Sequence, residues 1–215
     1  MKVEVMKNIL GENDKIAADN RKLFKEKNVF VINLMGSPGS GKTSLLELTI
    51  ANLKDKIKMA VIEGDLFTAK DAERIERHNV PVIQINTAGG CHLDAAMVKR
   101  AVESLDLDTL DLIIVENVGN LVCPAEFDVG ENIKAVVLSI TEGDDKPLKY
   151  PLIFKESAVA ILNKIDIIQF TNFNLESARE DLTTIHPGIK IIETSCTKAE
   201  GLDSWYDFLL NAVKN

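Results

Sequence analysis

The 215-residue chain is expected to fold as a three-layer α/β protein. A mostly parallel central sheet of about seven strands would carry helices on both faces. Three observations predict this. Short runs rich in Val and Ile alternate with helical patterns along the whole chain. Those runs are mostly continuously apolar, as in strands buried on both faces. Polar, acidic or glycine-bearing clusters directly follow several of them, and the carboxyl ends of parallel strands are where such sheets bind ligands.

In chain order, residues 13–26 come first. Ile16, Ala17, Asn20, Leu23 and Phe24 make one face of a helix, with Asn13 or Asp14 as its candidate cap. Residues 1–27 therefore read as a helical extension packed on a single domain spanning 1–215. Strands are expected over 29–34, 58–62, 82–85, 112–115, 135–140, 158–162 and 189–192. Helices are expected near 43–54, 68–78, 94–104, 175–185 and 203–213. The 33 acidic and 25 basic side chains leave a net charge of −8, which argues against a broad surface for nucleic acid or anionic membrane. Met1–Lys7 lacks the apolar core of a signal peptide, and no stretch reaches the roughly 18 apolar residues of a membrane span. Three cysteines without an export signal point to reduced thiols in a cytoplasmic protein.

Residues 36–43 read Gly36-Ser37-Pro38-Gly39-Ser40-Gly41-Lys42-Thr43. A strand precedes them and a helix follows, the context in which this spacing cradles phosphates. Backbone N–H groups and the positive end of the helix face the phosphate chain. Lys42 reaches the outer phosphates and the Thr43 hydroxyl holds Mg²⁺. The chain is thus expected to bind a nucleoside triphosphate.

After the run at 158–162 comes Asn163-Lys164-Ile165-Asp166. Guanine offers two adjacent donors, which the Asp166 carboxylate can accept as a fork. Adenine offers no such pair. Asn163 can bond the O6/N7 side of the base, and the Lys164 stem can pack on its face. Backbone N–H groups at Ser195 and Cys196 are a softer candidate contact to O6. Two acidic clusters end strands near the expected phosphates. In Glu63-Gly64-Asp65, Asp65 can hold Mg²⁺ through water or orient the attacking water. In Glu116-Asn117-Val118-Gly119, Glu116 can support the metal, and the Gly119 N–H can sense the γ-phosphate. Phosphoryl transfer rests mostly on positioning and charge neutralisation, here by Lys42, Asp65 and Glu116 with the ion. With no evident arginine finger, slow intrinsic turnover is expected.

Cys91 and His92 lie between the third strand and a helix, and Cys123 lies four residues past Gly119. Thiolate and imidazole suit Zn²⁺ or Ni²⁺. By composition alone the two cysteines read as small packed residues and His92 as a helix-start residue. The position of Cys123, just after a phosphate-sensing segment, favours a metal site. Three donors leave a fourth position exchangeable or supplied by a second subunit.

Together these residues resemble the hydrogenase nickel-incorporation GTPases of the HypB type. The specific carriers are Gly89-Gly90-Cys91-His92-Leu93 and Glu116-Asn117-Val118-Gly119-Asn120-Leu121-Val122-Cys123-Pro124. Asp144–Pro151 and Asn163-Lys164-Ile165-Asp166 support them. The resemblance implies a GTPase of the SIMIBI class that binds GTP and GDP with Mg²⁺ and assists nickel insertion into [NiFe]-hydrogenase. It implies a homodimer promoted by GTP, with Cys91, His92 and Cys123 as metal ligands at the dimer contact. It also implies a HypA-type nickel and zinc accessory partner and a hydrogenase large-subunit precursor as recipient. The chain departs from some members in having no cysteine before Cys91 and no histidine-rich stretch. The competing readings are a urease-type nickel accessory GTPase, a P-loop small-molecule kinase, and a metal carrier whose nucleotide is only structural. A kinase would give Asn163–Asp166 no role.

Overall fold

The computed structural model describes residues 2–65 and 74–214. Seven strands form one sheet: β1 (Phe30–Gly36), β2 (Met59–Asp65), β3 (Val82–Asn86), β4 (Leu112–Glu116), β5 (Ile133–Ser139), β6 (Ser157–Asn163) and β7 (Lys190–Thr194). Their order across the sheet is β3-β2-β4-β1-β5-β6-β7. Every strand pairing is parallel, in line with the expected mostly parallel sheet.

Alternation along β1 explains why its sequence reads as continuously apolar. Ile32 and Leu34 face a core built with Leu45, Leu46 and Ile50 of α2 (Lys42–Leu53) and Trp205 and Leu209 of α8 (Leu202–Lys214). Val31 faces the other way, toward Phe24 of α1 (Lys2–Lys27) and Val98 and Val102 of α3 (Ala95–Val102). Further along that second face, β5 and β6 meet Phe154 of α6 (Pro151–Lys155) and Ala178 and Leu182 of α7 (Leu175–Ile185). Both faces are dry, so period-two patterning disappears from the strands. Two short helices, α4 (Cys123–Glu126) and α5 (Lys146–Lys149), sit in the loops.

Helix α1 is longer than expected. It begins at Lys2 and passes through Asn13, so neither Asn13 nor Asp14 caps it. Asn13 is 6% exposed and faces inward, on the stripe Asn13, Ala17, Asn20, Phe24. Its amide donates to Asp128 O (2.8 Å) and accepts from Ala95 N (2.9 Å). Asn20 donates to Ala95 O (2.9 Å) and Val129 O (3.0 Å). These amides satisfy backbone groups of two loops, and that need outweighs their low helix propensity. The helix expected over 68–78 lies largely outside the described residues. No helix among those described is long and apolar enough to cross a membrane.

Candidate nucleotide and metal site

The phosphate loop leaves the sheet at Gly36, which has φ +146°; a Cβ there would stand 2.3 Å from Val137 O. At Gly41 (φ +103°) a Cβ would stand 2.2 Å from the Asn163 amide. Glycine is required at both turns. Gly41 offers α2 no side-chain cap. The first N–H groups of that 12-residue helix therefore receive no side-chain cap, as a helix start that binds an anion requires. Lys42 Nζ donates to Gly36 O and Ser37 O, both at 3.2 Å, so it lies along the loop it is expected to serve.

An open cavity of about 410 Å³ surrounds this loop. It is lined by Lys42, Thr43, Asp65, Glu116, Gly119 and Lys164, among others. Six positions singled out in the sequence thus meet in one space. Thr43 Oγ1 donates to Glu116 Oε1 (2.9 Å). Glu116 and Glu63 are register partners on β4 and β2, both buried and both lining the cavity. Adjacent carboxylates beside a hydroxyl form the oxygen donor set that suits Mg²⁺. Glu63 drew no role from its sequence, since a buried strand end and a solvated one look alike there. Arg74 also lines the cavity, with its guanidinium on the Glu47 carboxylate (2.5 and 3.2 Å). Nothing in its spacing to the glycine loop pointed to it.

At the other end, Asp166 Oδ1 accepts from Ser195 Oγ (2.6 Å), and Ser195 Oγ accepts from Lys198 N (3.0 Å). The Asp166 carboxylate is therefore fixed in orientation. Lys164 adopts φ +69° and its Nζ donates to Gly39 O (2.6 Å), laying its stem across the phosphate loop. Asn163 ends β6, at the start of the segment expected to meet the base. It is 1% exposed, donates to Ser40 O (2.9 Å) and accepts from Thr194 Oγ1 (3.2 Å). Its amide ties the phosphate loop to the ends of β6 and β7, and its second amide hydrogen remains a donor beyond the Ser40 bond. The Cys196 N–H reaches Asn163 Oδ1 at 3.4 Å, and burial pushes its thiol up to about 11.

Cys91, His92 and Cys123 converge, with their donor atoms all within 4.8 Å of one another. The two sulfurs are 2.9 Å apart and Cys91 Sγ is 3.6 Å from His92 Nδ1. Tetrahedral donors around one Zn²⁺ stand about 3.3–3.8 Å apart, given bonds of about 2.0–2.3 Å, so small side-chain rotations suffice. Burial lowers the His92 imidazole below its usual value, with Asp94 and Glu126 opposing, and a neutral ring is the ligand form. Hydrogen bonding to the Cys91 thiol, then burial, pushes the Cys123 thiol up. A divalent cation reverses that penalty by favouring thiolate. The His92 ring stacks on Phe127, centroids 3.8 Å apart, which fixes its plane. No sequence spacing revealed Phe127. Cys196 stands apart from the trio, as a packed residue.

The segment between Glu116 and Cys123 touches both regions. Glu116 holds Thr43. A Cβ on Gly119 would strike Pro38 of the phosphate loop at 2.8 Å, so the two backbones are in contact. Asn120 N donates to Gly36 O (3.0 Å), while its amide donates to Cys91 O (3.3 Å) and accepts from Val122 N (2.9 Å). One residue therefore bonds the phosphate loop, the Cys91-His92 loop and the approach to Cys123.

The family described as CobW/HypB/UreG, nucleotide-binding domain, matches residues 30–193. The hydrogenase maturation factor HypB of Escherichia coli K12 is 47% identical over 207 residues, spanning 96% of this chain and 71% of that protein. The crystal structure of hydrogenase maturation factor HypB from Archaeoglobus fulgidus superposes with a TM-score of 0.89 at 36% identity, covering 94% of this chain and 99% of that one. The structure of HypB from Helicobacter pylori in complex with nickel gives the same TM-score at 39% identity, covering 94% and 95%. The glycine loop, the Cys-His pair and the Glu116–Cys123 segment thus occur on the fold that these relatives share, and the chain belongs to the HypB group of the CobW/HypB/UreG nucleotide-binding family.

Proposed function

We propose that this chain binds GTP, hydrolyses it slowly, and uses the nucleotide state to change its hold on a nickel or zinc ion during [NiFe]-hydrogenase maturation. The observation that carries this reading is the Glu116–Cys123 segment, bonded to the phosphate loop at one end and bearing a metal ligand at the other. Lys42 and the N–H groups opening α2 bind and orient the phosphates. Asp166, held by Ser195, selects guanine. Thr43, Asp65 and Glu116 would hold Mg²⁺, which supplies neutralisation of charge on the β- and γ-phosphates. Asp65 orients the attacking water or holds the ion through water. Gly119, packed on Pro38, is placed to respond to the γ-phosphate. Cargo nickel or zinc would be gripped by Cys91, His92 and Cys123, with a fourth position open or completed by a second copy of the chain. A GTP-promoted homodimer, a HypA-type accessory protein and a hydrogenase large-subunit precursor are the partners this reading needs, all in the cytoplasm.

Phosphate release from GTP and ATP tests the catalytic half. Slow release from GTP is expected, with little from ATP. Lys42→Ala should reduce the GTP rate by about 10²–10³-fold, as removal of one charge-stabilising donor does elsewhere. Equal turnover of both nucleotides would count against guanine selection, and an unaffected Lys42→Ala rate against the assignment of this loop.

A further inference from the structure

A line of buried amides and one carboxylate runs beneath the site, from Asn117 at the cavity wall into the core. Asn117 Oδ1 accepts from Leu93 N and from Val118 N, both at 3.0 Å. Asn117 Nδ2 donates to Asn33 Oδ1 (3.0 Å). Asn33 Nδ2 faces Glu131 Oε1 at 3.4 Å, and Glu131 Oε2 accepts from Val129 N (2.7 Å). Asn33, Asn117 and Glu131 are 0%, 1% and 6% exposed. We propose that Asn33 and Glu131 are positioning residues of a buried relay that makes both metal-bearing loops answer together to the nucleotide.

The ends of the line explain why it would matter. Leu93 directly follows the ligand His92, and its N–H is the first group of the line. Val129 lies two residues beyond Phe127, the ring on which His92 stacks. Asn117 directly follows Glu116, the residue bonded to Thr43 in the phosphate loop. A shift of Glu116 would therefore carry Asn117 with it. Asn117 would in turn pull on Leu93 directly and on Val129 through Asn33 and Glu131. On the outer side of the same two loops, Asn13 and Asn20 of α1 pin Ala95 to Asp128 and Val129. Both loop roots are thus held from two directions. An apolar core needs no such line: Asn33 interrupts an otherwise apolar strand, and a buried polar group is tolerated only when fully paired. Burial also raises the Glu131 carboxyl to about 7, against the nearby Lys134 ammonium at 3.7 Å. Each such group adds a cost that simple packing would avoid, which fits a task beyond stability.

The proposal rests on the preceding reading that nucleotide state changes metal affinity, and the test separates the two. The quantity is the ratio of Ni²⁺ dissociation constants measured with GDP and with a non-hydrolysable GTP analogue. Glu131→Gln keeps the shape but leaves one amide oxygen to serve two donors. Asn33→Leu removes both links at similar volume. Each should bring the ratio at least about threefold closer to unity. GTP-analogue affinity and nucleotide-free Ni²⁺ affinity should stay within about twofold of wild type, because neither residue touches a ligand. Thr49→Val is the control. It breaks the buried bond from Trp205 Nε1 to Thr49 Oγ1 on the opposite face of the sheet and should leave the ratio alone. A wild-type ratio away from unity that both variants preserve would overturn the relay and leave the functional reading intact. A wild-type ratio of one would remove both. If a variant fails to fold, hydrogen exchange on the wild type decides: the Leu93 and Val129 amides should change protection together when the analogue replaces GDP. A change in one alone overturns the proposal.

Discussion

Asp166→Asn is expected to lower GTP affinity by about 10²–10⁴-fold and to raise affinity for xanthosine triphosphate. The Asp166 carboxylate presents acceptors to the two adjacent donors of guanine. An amide in its place sets its own NH₂ against one of them. One charge-assisted hydrogen bond is replaced by a clash of donors and the other survives only as a neutral bond, at about 1.5–3 kcal/mol for each change. Xanthine carries a carbonyl where guanine carries its amino group, so the amide regains a partner. The orientation of the side chain is set beforehand, because Ser195 Oγ donates to Oδ1 at 2.6 Å. Competition binding with GTP, xanthosine triphosphate and ATP on the wild type and the variant gives the answer. Retained GTP preference would remove Asp166 from base recognition.

Cys123→Ser should weaken Ni²⁺ and Zn²⁺ binding by about 100-fold or more while leaving GTP affinity unchanged. Losing an outer partner of a metal ligand already costs about 10–100-fold, and a ligand sulfur should cost at least as much. A serine hydroxyl is a hard, weakly acidic donor that does not replace thiolate for these ions. Cys91 Sγ and His92 would then remain as two donors, too few to hold the ion tightly. Cys196→Ser is the matched control, since that thiol packs against the core and stands outside the trio. Direct titration with each ion, with thiolate-to-metal absorption as a second signal, measures both variants. Equal loss in the Cys196 variant, or no loss in the Cys123 variant, would contradict the ligand assignment.

Much of this arrangement was legible in the residues because the signals were local. The seven apolar runs became the seven strands, since burial on both faces removes any competing pattern. The carboxyl ends of six of them were read short, β5 being the exception. Glu63-Gly64-Asp65, Asn163 and Thr194 look like loop residues, yet they still pair in the sheet as it runs into the ligand edge. The phosphate loop was plain because its spacing, strand and helix coincide within a few residues. The cluster of Cys91, His92 and Cys123 was legible because the Cys-His pair is adjacent in sequence and Cys123 follows a segment at the same ligand edge, and the resemblance to the HypB type pointed to the same three residues. Residues that act by reaching across the fold were not legible. Phe127, Asn120 and Glu131 meet His92, Gly36 with Cys91, and Asn33 respectively only through tertiary contacts. Asn13 was misjudged as a cap because a polar residue at an apparent helix start satisfies the same local rule as one facing a distant backbone. Asn33 alone left a trace, as an amide inside an apolar strand.

The most direct measurement is a Ni²⁺ titration of the wild-type protein loaded with GDP and, separately, with a non-hydrolysable GTP analogue and Mg²⁺. If the Glu116–Cys123 segment joins the two sites, the affinities should differ by about fivefold or more, the low end of ordinary coupling between sites. Identical affinity in the two states would contradict it.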